Sequence, residues 1–76
     1  MQVTVLEPRG LVWEGKAKRV VLPASEGEMC VMDFHQTFFV RLIRGRLRYP
    51  GGEVPVFEGI AAMKDNTLRV FIERGS

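Results

Sequence analysis

The chain has 76 residues, a formal net charge of +2, one histidine and one cysteine. A domain of this length buries only about 60% of the surface that its unfolded chain exposes, so it usually depends on disulfides, a metal or a partner for extra stability. One cysteine excludes an internal disulfide, and one histidine with one cysteine cannot complete a structural zinc site, which leaves a partner protein. We predict a single domain over residues 1–76.

Short strands separated by turns account for most of the sequence pattern. Val3 and Val5 alternate with polar residues near the start, and Leu68, Val70 and Ile72 do so near the end, as half-buried antiparallel strands require. No window has the apolar spacing of a helix. The pattern predicts an all-β fold, a small two-sheet β-sandwich of about eight to ten short strands with no helical hairpin. Candidate turns lie at Glu14-Gly15, residues 23–27, Arg44-Gly45, residues 50–52 and Asp65-Asn66.

Residues 24–39 hold the histidine, the cysteine and three acidic side chains, which raises the question of an active site. Cys30 lies in an apolar run, where a buried and inert thiol is the usual outcome. A histidine beside an aromatic residue, as His35 is beside Phe34, is more often structural than catalytic. The acids are too sparse for a calcium loop, and the sequence offers no third group to orient a nucleophile and base. We predict no catalytic, cofactor-binding or metal-binding residue.

Two segments carry apolar residues on both faces of a predicted strand. In residues 38–43, Phe38 and Val40 point to one face and Phe39 and Ile43 to the other. Residues 54–63, taken as one strand, also carry apolar residues on both faces. One face has Val56, Ile60 and Ala62, and the other has Phe57, Ala61 and Met63. A two-layer sandwich has one interior, so two explanations stay open. One is a strongly coiled sheet or irregular corner, and the other is an exposed apolar patch that binds a partner.

Four arginines fall within eight residues that contain no acid: Arg41, Arg44, Arg46 and Arg48. In a regular strand Arg46 and Arg48 share one face, and Leu47 and Tyr49 the other. A stand-alone small β-barrel that binds single-stranded nucleic acid would display such a basic stripe near aromatic residues. The simpler explanation is a solvated face that discourages sheet edges from pairing. The low total charge and the lack of a glycine-rich phosphate loop favour the simpler explanation.

The order of the residues resembles a known family over nearly the whole chain. The chain is similar to the amino-terminal β-sandwich domain of the epsilon subunit of F-type ATP synthase, the subunit called delta in mitochondria. The residues that carry the resemblance are Val3, Pro8, Gly10, Glu14-Gly15, Val20, Leu22-Pro23, Glu26-Gly27-Glu28, Val31, His35, Leu42, Gly45, Leu47-Arg48, Gly59, Asn66, Leu68 and Val70.

The resemblance implies a non-catalytic subunit of the central stalk that needs no cofactor. Its partners would be the gamma subunit and the rotor-ring subunits, with no direct nucleic acid binding and membrane contact only through the complex. It would lie on the cytoplasmic side of the membrane and couple ion-driven rotation to ATP synthesis. The resemblance assigns His35, Phe38 and Val40 to the gamma side, and Ser25, Glu26, Gly27 and Glu28 to the rotor-ring side.

Several positions depart from the family pattern. The usual Pro-Gly-His-Ala-Pro is here Asp33-Phe34-His35-Gln36-Thr37, so a bulky segment replaces a turn built on glycine and proline. A glycine that commonly follows the Glu28 position is Cys30, and the second glycine of a later pair is Ile60. The family's two-helix C-terminal domain does not follow Arg74-Gly75-Ser76, and we therefore expect a subunit without that inhibitory domain.

Overall fold

A computed structural model of the chain describes residues 1–74, which contain nine strands and no helix. The predicted all-β fold is therefore confirmed, and the number of strands falls within the predicted range. Gly75 and Ser76, the last positions of the predicted domain, lie outside the described residues. In this part of the chain there is no helix long and apolar enough to cross a membrane. The strands are β1 (Gln2–Glu7), β2 (Gly10–Lys16), β3 (Arg19–Ala24), β4 (Gly27–Met32), β5 (Phe38–Leu42), β6 (Gly45–Tyr49), β7 (Gly52–Val56), β8 (Glu58–Lys64) and β9 (Thr67–Glu73).

The strands form one continuous sheet that folds over itself into two layers. Their order is β2-β1-β9-β8-β5-β3-β6-β7, and β4 pairs with β3 outside this path. Strand β3 joins the layers, because its end pairs with β5 at Ala24 and Leu42 and its middle pairs with β6 at Val21 and Arg48. The two predicted sheets are thus two layers of one sheet. Strand β1 pairs in parallel with β9, which places the first strand of the chain beside the last.

The space between the layers is filled by the inward side chains of alternating strands. The largest fully buried side chains include Leu22, Leu42, Leu47, Met63 and Leu68. Each such side chain contributes about 1.5–3 kcal/mol by leaving water. No polar or charged side chain among residues 1–74 is buried, so the side chains of this core make apolar contacts.

An aromatic stack joins β2 and β6, two strands that lie far apart in the strand order. Trp13 of β2 stacks on Tyr49 of β6, with ring centroids 4.4 Å apart and planes at 24°. A Cβ on Gly15 would lie 2.9 Å from the Trp13 ring, and one on Gly52 would lie 2.9 Å from the Tyr49 hydroxyl. Both glycines therefore leave room for the stacked rings.

The prediction of a turn at Glu14-Gly15 is wrong, because both residues lie inside β2. Thr4 is the cross-strand partner of Glu14, and Val3 is that of Gly15. Glycine is required there for the close approach of Trp13 rather than for a change of chain direction.

The prediction of one strand over residues 54–63 is also wrong. Strand β7 ends at Val56 and β8 begins at Glu58, so the alternation of side chains is reset at Phe57. As a result Val56 points into the core with Ala61, while Phe57 and Ile60 are exposed. The break is the corner at which the chain leaves one layer for the other, so the two strands belong to different layers.

Candidate protein-interaction site

The layer formed by β5, β8, β9, β1 and β2 has an apolar row on its outer face. Ile60 lies opposite Phe71, Phe71 opposite Leu6, and Leu6 opposite Leu11, so the row crosses four adjacent strands. We call these four residues the outer row. Their neighbours along each strand point inward to the core, so the outer row points away from it. Leu11 is 58% exposed, Phe71 51% and Ile60 41%.

Phe39 extends this apolar surface onto β5. It is 70% exposed and lies opposite Ala62, which is two residues after Ile60 of the outer row and on the same face of β8. Phe39, Ile60 and Phe71 line one shallow depression together with Arg41. The exposed patch was one of the two explanations for apolar residues on both faces of β5, and the structure supports it.

Charges of opposite sign flank the outer row. On one side Glu58 and Glu73 lie directly opposite each other on β8 and β9, and both are exposed. Like charges in this position destabilise a strand pair, and no ion pair within residues 1–74 involves either glutamate. On the other side β8 ends at Lys64 and β2 ends at Lys16. A partner that placed cations near the two glutamates would relieve their repulsion.

The residues predicted to face the rotor ring form the turn of the β3–β4 hairpin. Ser25, Glu26, Gly27 and Glu28 are all exposed. Gly27 has φ of 126°, a conformation that favours glycine, and the Ser25 amide donates a hydrogen bond of 3.0 Å to the Arg41 carbonyl. The turn is thus held against the end of β5 and presents the carboxylates of Glu26 and Glu28 to solvent.

The residues predicted to face gamma lie along the start of β5 and the segment before it. The His35 ring meets the edge of the Phe38 ring, with centroids 5.2 Å apart. Phe38 and Val40 are half-buried and pack against the core, whereas Phe39 between them is exposed. Val40 also lines a depression together with the Ser25 to Glu28 turn, so the structure brings these two predicted groups close together. Their assigned partners stay predictions.

The sequence interpretation missed Leu6, Leu11 and Phe71 as surface residues. Leu68, Val70 and Ile72 were recognised as one buried face of β9, which places Phe71 on the opposite, exposed face. The outward position of Phe71 in the regular alternation of β9 was therefore the signal that could have identified it as a surface residue. A bulge between β1 and β2 hid the signal at Leu11, because the pairing register shifts between Val5 and Leu6.

The arginine stripe is interleaved with acids from other strands. Arg46 and Arg48 share the exposed face as predicted, but both approach Glu53 of β7, at 3.0 Å and 3.8 Å. Arg48 also lies 3.7 Å from Glu28. The Arg44 guanidinium sits 5.2 Å from the centre of the Phe57 ring. These contacts favour a solvated face over a groove for phosphates.

The prediction that Cys30 is buried is wrong, since its side chain is exposed on β4. In the apolar run of β4 only Val31 is fully buried, because alternation turns Cys30 and Met32 outward. Among residues 1–74 no three His, Cys, Asp or Glu side chains gather as a group that could hold a metal ion.

The chain matches a known protein family over nearly its whole length. The family described as "ATP synthase, Delta/Epsilon chain, beta-sandwich domain" matches residues 1–75. The ATP synthase epsilon chain of Microcystis aeruginosa is 28% identical over 74 residues, covering 92% of this chain and 54% of that protein. The chloroplastic epsilon chain of Pylaiella littoralis is 30% identical over 76 residues, covering 95% of this chain and 58% of that protein. The chain thus spans about half the length of such curated relatives.

Solved structures share the fold at lower sequence identity. A chain in the cryo-EM structure of the Tetrahymena thermophila mitochondrial ATP synthase central stalk and c-ring superposes with a TM-score of 0.83 at 17% identity, covering 95% of this chain and 62% of that one. A chain in the Euglena gracilis mitochondrial ATP synthase structure gives 0.80 at 18% identity, covering 92% of this chain and 48% of that one. With the sequence match over residues 1–75 and the confirmed β-sandwich, the chain belongs to the family of the ATP synthase delta/epsilon chain β-sandwich domain.

Proposed function

We propose that the chain is a non-catalytic central-stalk subunit of an F-type ATP synthase, linking the gamma subunit to the membrane rotor ring. The outer row carries this proposal. One face of its layer already packs the core, and a monomer rarely leaves a second continuous apolar surface in water. Similar folds occur in structures of an ATP synthase central stalk and c-ring, which supports a place in that assembly.

The outer row and Phe39 are the surface proposed to bind gamma. Their exposed apolar side chains supply the area that stabilises a permanent interface, and the facing glutamates Glu58 and Glu73 select a gamma surface with basic side chains. We retain Phe38 and Val40 on the gamma side from the resemblance to the family, since both support β5 from its inner face. We also retain His35 on the gamma side from the resemblance to the family, since its half-buried ring lies against Phe38 just before β5.

The β3–β4 turn is the part proposed to reach the rotor ring. Ser25, Glu26, Gly27 and Glu28 form an exposed acidic tip, which suits contact with polar loops of a ring rather than with lipid. Through this tip and the gamma-facing surface, the domain would couple ion-driven rotation to ATP synthesis without chemistry of its own. It would be a peripheral part of the complex on the cytoplasmic side of the membrane.

The test is the affinity of the chain for the purified gamma subunit of the same organism, measured by calorimetry. Phe71→Asp puts a charge into the outer row at an exposed position, so the fold should survive while the affinity falls about 30-fold or more. Cys30→Asp adds the same charge on the exposed side of β4 in the other layer and should change little.

Salt dependence separates this proposal from nucleic acid binding. An apolar interface keeps most of its affinity as salt rises, whereas phosphate binding weakens steeply. Unchanged gamma affinity in Phe71→Asp, or binding of single-stranded nucleic acid that is lost when Arg41, Arg44, Arg46 and Arg48 become Gln, would contradict the proposal.

A further inference from the structure

Phe34, in the connection between β4 and β5, combines two unfavourable features. Its φ is 61°, in the left-handed region where a bulky residue is strained, and its side chain is 80% exposed. No other large apolar side chain among residues 1–74 is as exposed. Strain of this kind persists where the surrounding contacts enforce it, and it is concentrated at binding and switch sites.

Specific contacts fix the backbone on both sides of Phe34. Its amide donates a hydrogen bond of 2.8 Å to the side-chain oxygen of Asn66 in the β8–β9 turn. The preceding Asp33 binds the N-terminal ammonium group through its carboxylate, and its amide donates to the Lys18 carbonyl. The following His35 amide donates to the Met32 carbonyl at 3.1 Å. The backbone is therefore fixed from three directions while the ring projects into solvent.

The charged side chains around Phe34 are three cations, the carboxylate of Asp33, which binds the N-terminus, and the exposed carboxylate of Asp65. Lys18 lies near enough to Asp33 to help lower the pKa of its carboxyl group, and Lys64 ends the strand that leads into the Asn66 turn. Arg19 lies opposite Met32, two residues before Phe34. All three cations are exposed, and none forms an ion pair within residues 1–74. A complementary partner surface therefore carries acids around an apolar pocket.

We propose that Phe34 is a preset anchor whose ring inserts into an apolar, acid-rimmed pocket of the gamma subunit. This inference rests on the proposed association with gamma, and it adds a contact at the end of the layer beyond the outer row. An aromatic side chain on a backbone that is fixed before binding has only two torsions to lose on association, which is how a single side chain contributes a large share of affinity. The strained φ of Phe34 is the free-energy cost of holding its side chain in this exposed position.

Replacing Phe34 distinguishes a role in binding from a role in folding. Loss of the ring should lower the affinity for gamma, whereas relief of the strained φ should raise the stability of the chain. Phe34→Gly removes the ring and relieves the strained φ, so the Tm of the chain should stay the same or rise while its affinity for gamma falls about tenfold or more. Phe34→Ala removes the ring and keeps the strain, so its affinity should fall equally without a rise in Tm. Phe34→Leu keeps an apolar side chain and should restore most of the affinity. Phe57→Ala, at an exposed phenylalanine beside the other end of β8, is the matched control and should leave the affinity unchanged.

Affinity for purified gamma that is unchanged in both Phe34→Gly and Phe34→Ala would overturn the anchor. If Phe71→Asp still lost affinity in that case, the proposed association with gamma would stand without it. A loss of gamma affinity in Phe34→Gly but not in Phe34→Ala would assign the loss to flexibility of the β4–β5 connection and would also overturn the anchor. Binding of the unmodified chain to anionic lipid vesicles that is lost in Phe34→Gly, with gamma affinity intact, would instead assign the ring to a membrane surface.

Discussion

At the residue scale, Gly59 has the least room for a side chain among the glycines of residues 1–74. It lies opposite Leu42 of β5 on one side and Ile72 of β9 on the other. A Cβ at this position would lie 2.3 Å from the Phe71 carbonyl oxygen and 3.1 Å from the Ile72 Cα. Both are backbone atoms, so the strands themselves would have to move apart.

Gly59→Ala is therefore expected to lower the free energy of unfolding by about 2 kcal/mol, the scale of overpacking in a tight core. Guanidinium titration followed by circular dichroism measures this change. Gly52→Ala is the comparison, because the nearest atom there is the Tyr49 hydroxyl at the end of a side chain, which can shift at a smaller cost. Equal losses at the two positions would show that the close approach at Gly59 is relieved by small movements.

Asp33 links the β4–β5 connection to the start of the chain and should make stability depend on pH. The hydrogen bond to the N-terminal ammonium group is the largest cause that lowers the pKa of Asp33 below 3.8. A carboxyl group with a lowered pKa in the folded state contributes stability that is present above the unfolded pKa and lost as the pH falls through the folded pKa.

Asp33→Asn should therefore be less stable than the unmodified chain at neutral pH, and the difference should shrink as the pH falls below 3.8. Denaturant titrations at several pH values between about 7 and 2.5 measure it. A difference that stays constant over this range would mean that Asp33 acts through the shape of the connection and not through its charge.

At the element scale, the Trp13–Tyr49 stack holds β2 against β6. The two strands are separated in the sheet order by β1, β9, β8, β5 and β3, so no backbone hydrogen bond ties them together. The stack is a side-chain contact that closes the two layers. Its centroids, 4.4 Å apart, lie at the short limit of about 4.5 Å for favourable aromatic pairs.

A double-mutant cycle with Trp13→Ala and Tyr49→Ala should give a coupling energy of about 1 kcal/mol. Unfolding should be followed by circular dichroism, because Trp13 is the only tryptophan and its replacement removes the fluorescence signal. Additive single effects would indicate that each ring packs on the core independently, and that the layers are closed by the core residues alone.

The strands show how much of the fold can be predicted from local sequence patterns. Strands β1 and β9 were predicted from alternation alone and are confirmed, because one face of each lies on the core and the other on solvent. The corner at Phe57 and the in-strand position of Gly15 were not predicted. The corner depends on Glu73 of β9, whose carbonyl accepts a hydrogen bond from the Phe57 amide. The position of Gly15 depends on Tyr49 of β6, because the Trp13 ring that stacks on Tyr49 takes the space beside Gly15.

At the scale of the whole molecule, the distribution of charge and apolar surface distinguishes the two layers. The layer of β3, β4, β6 and β7 pairs Arg46 and Arg48 with Glu28 and Glu53, whereas Arg19 on β3 forms no ion pair within residues 1–74. The other layer carries the outer row and the unpaired glutamates Glu58 and Glu73. This asymmetry is the reason to assign association with gamma to one face of the molecule.

The sequence by itself determined the all-β class, most strand positions and the family, because alternation and an ordered set of residues are local properties of the chain. It also identified apolar residues on both faces of β5. Only the tertiary structure decided which residues share the outer row, since the pairing of β1 with β9 joins Leu6 and Leu11 of the first hairpin to Ile60 and Phe71 of the last. The strained, exposed Phe34 likewise depends on Asn66, 32 residues away, whose side chain fixes its backbone.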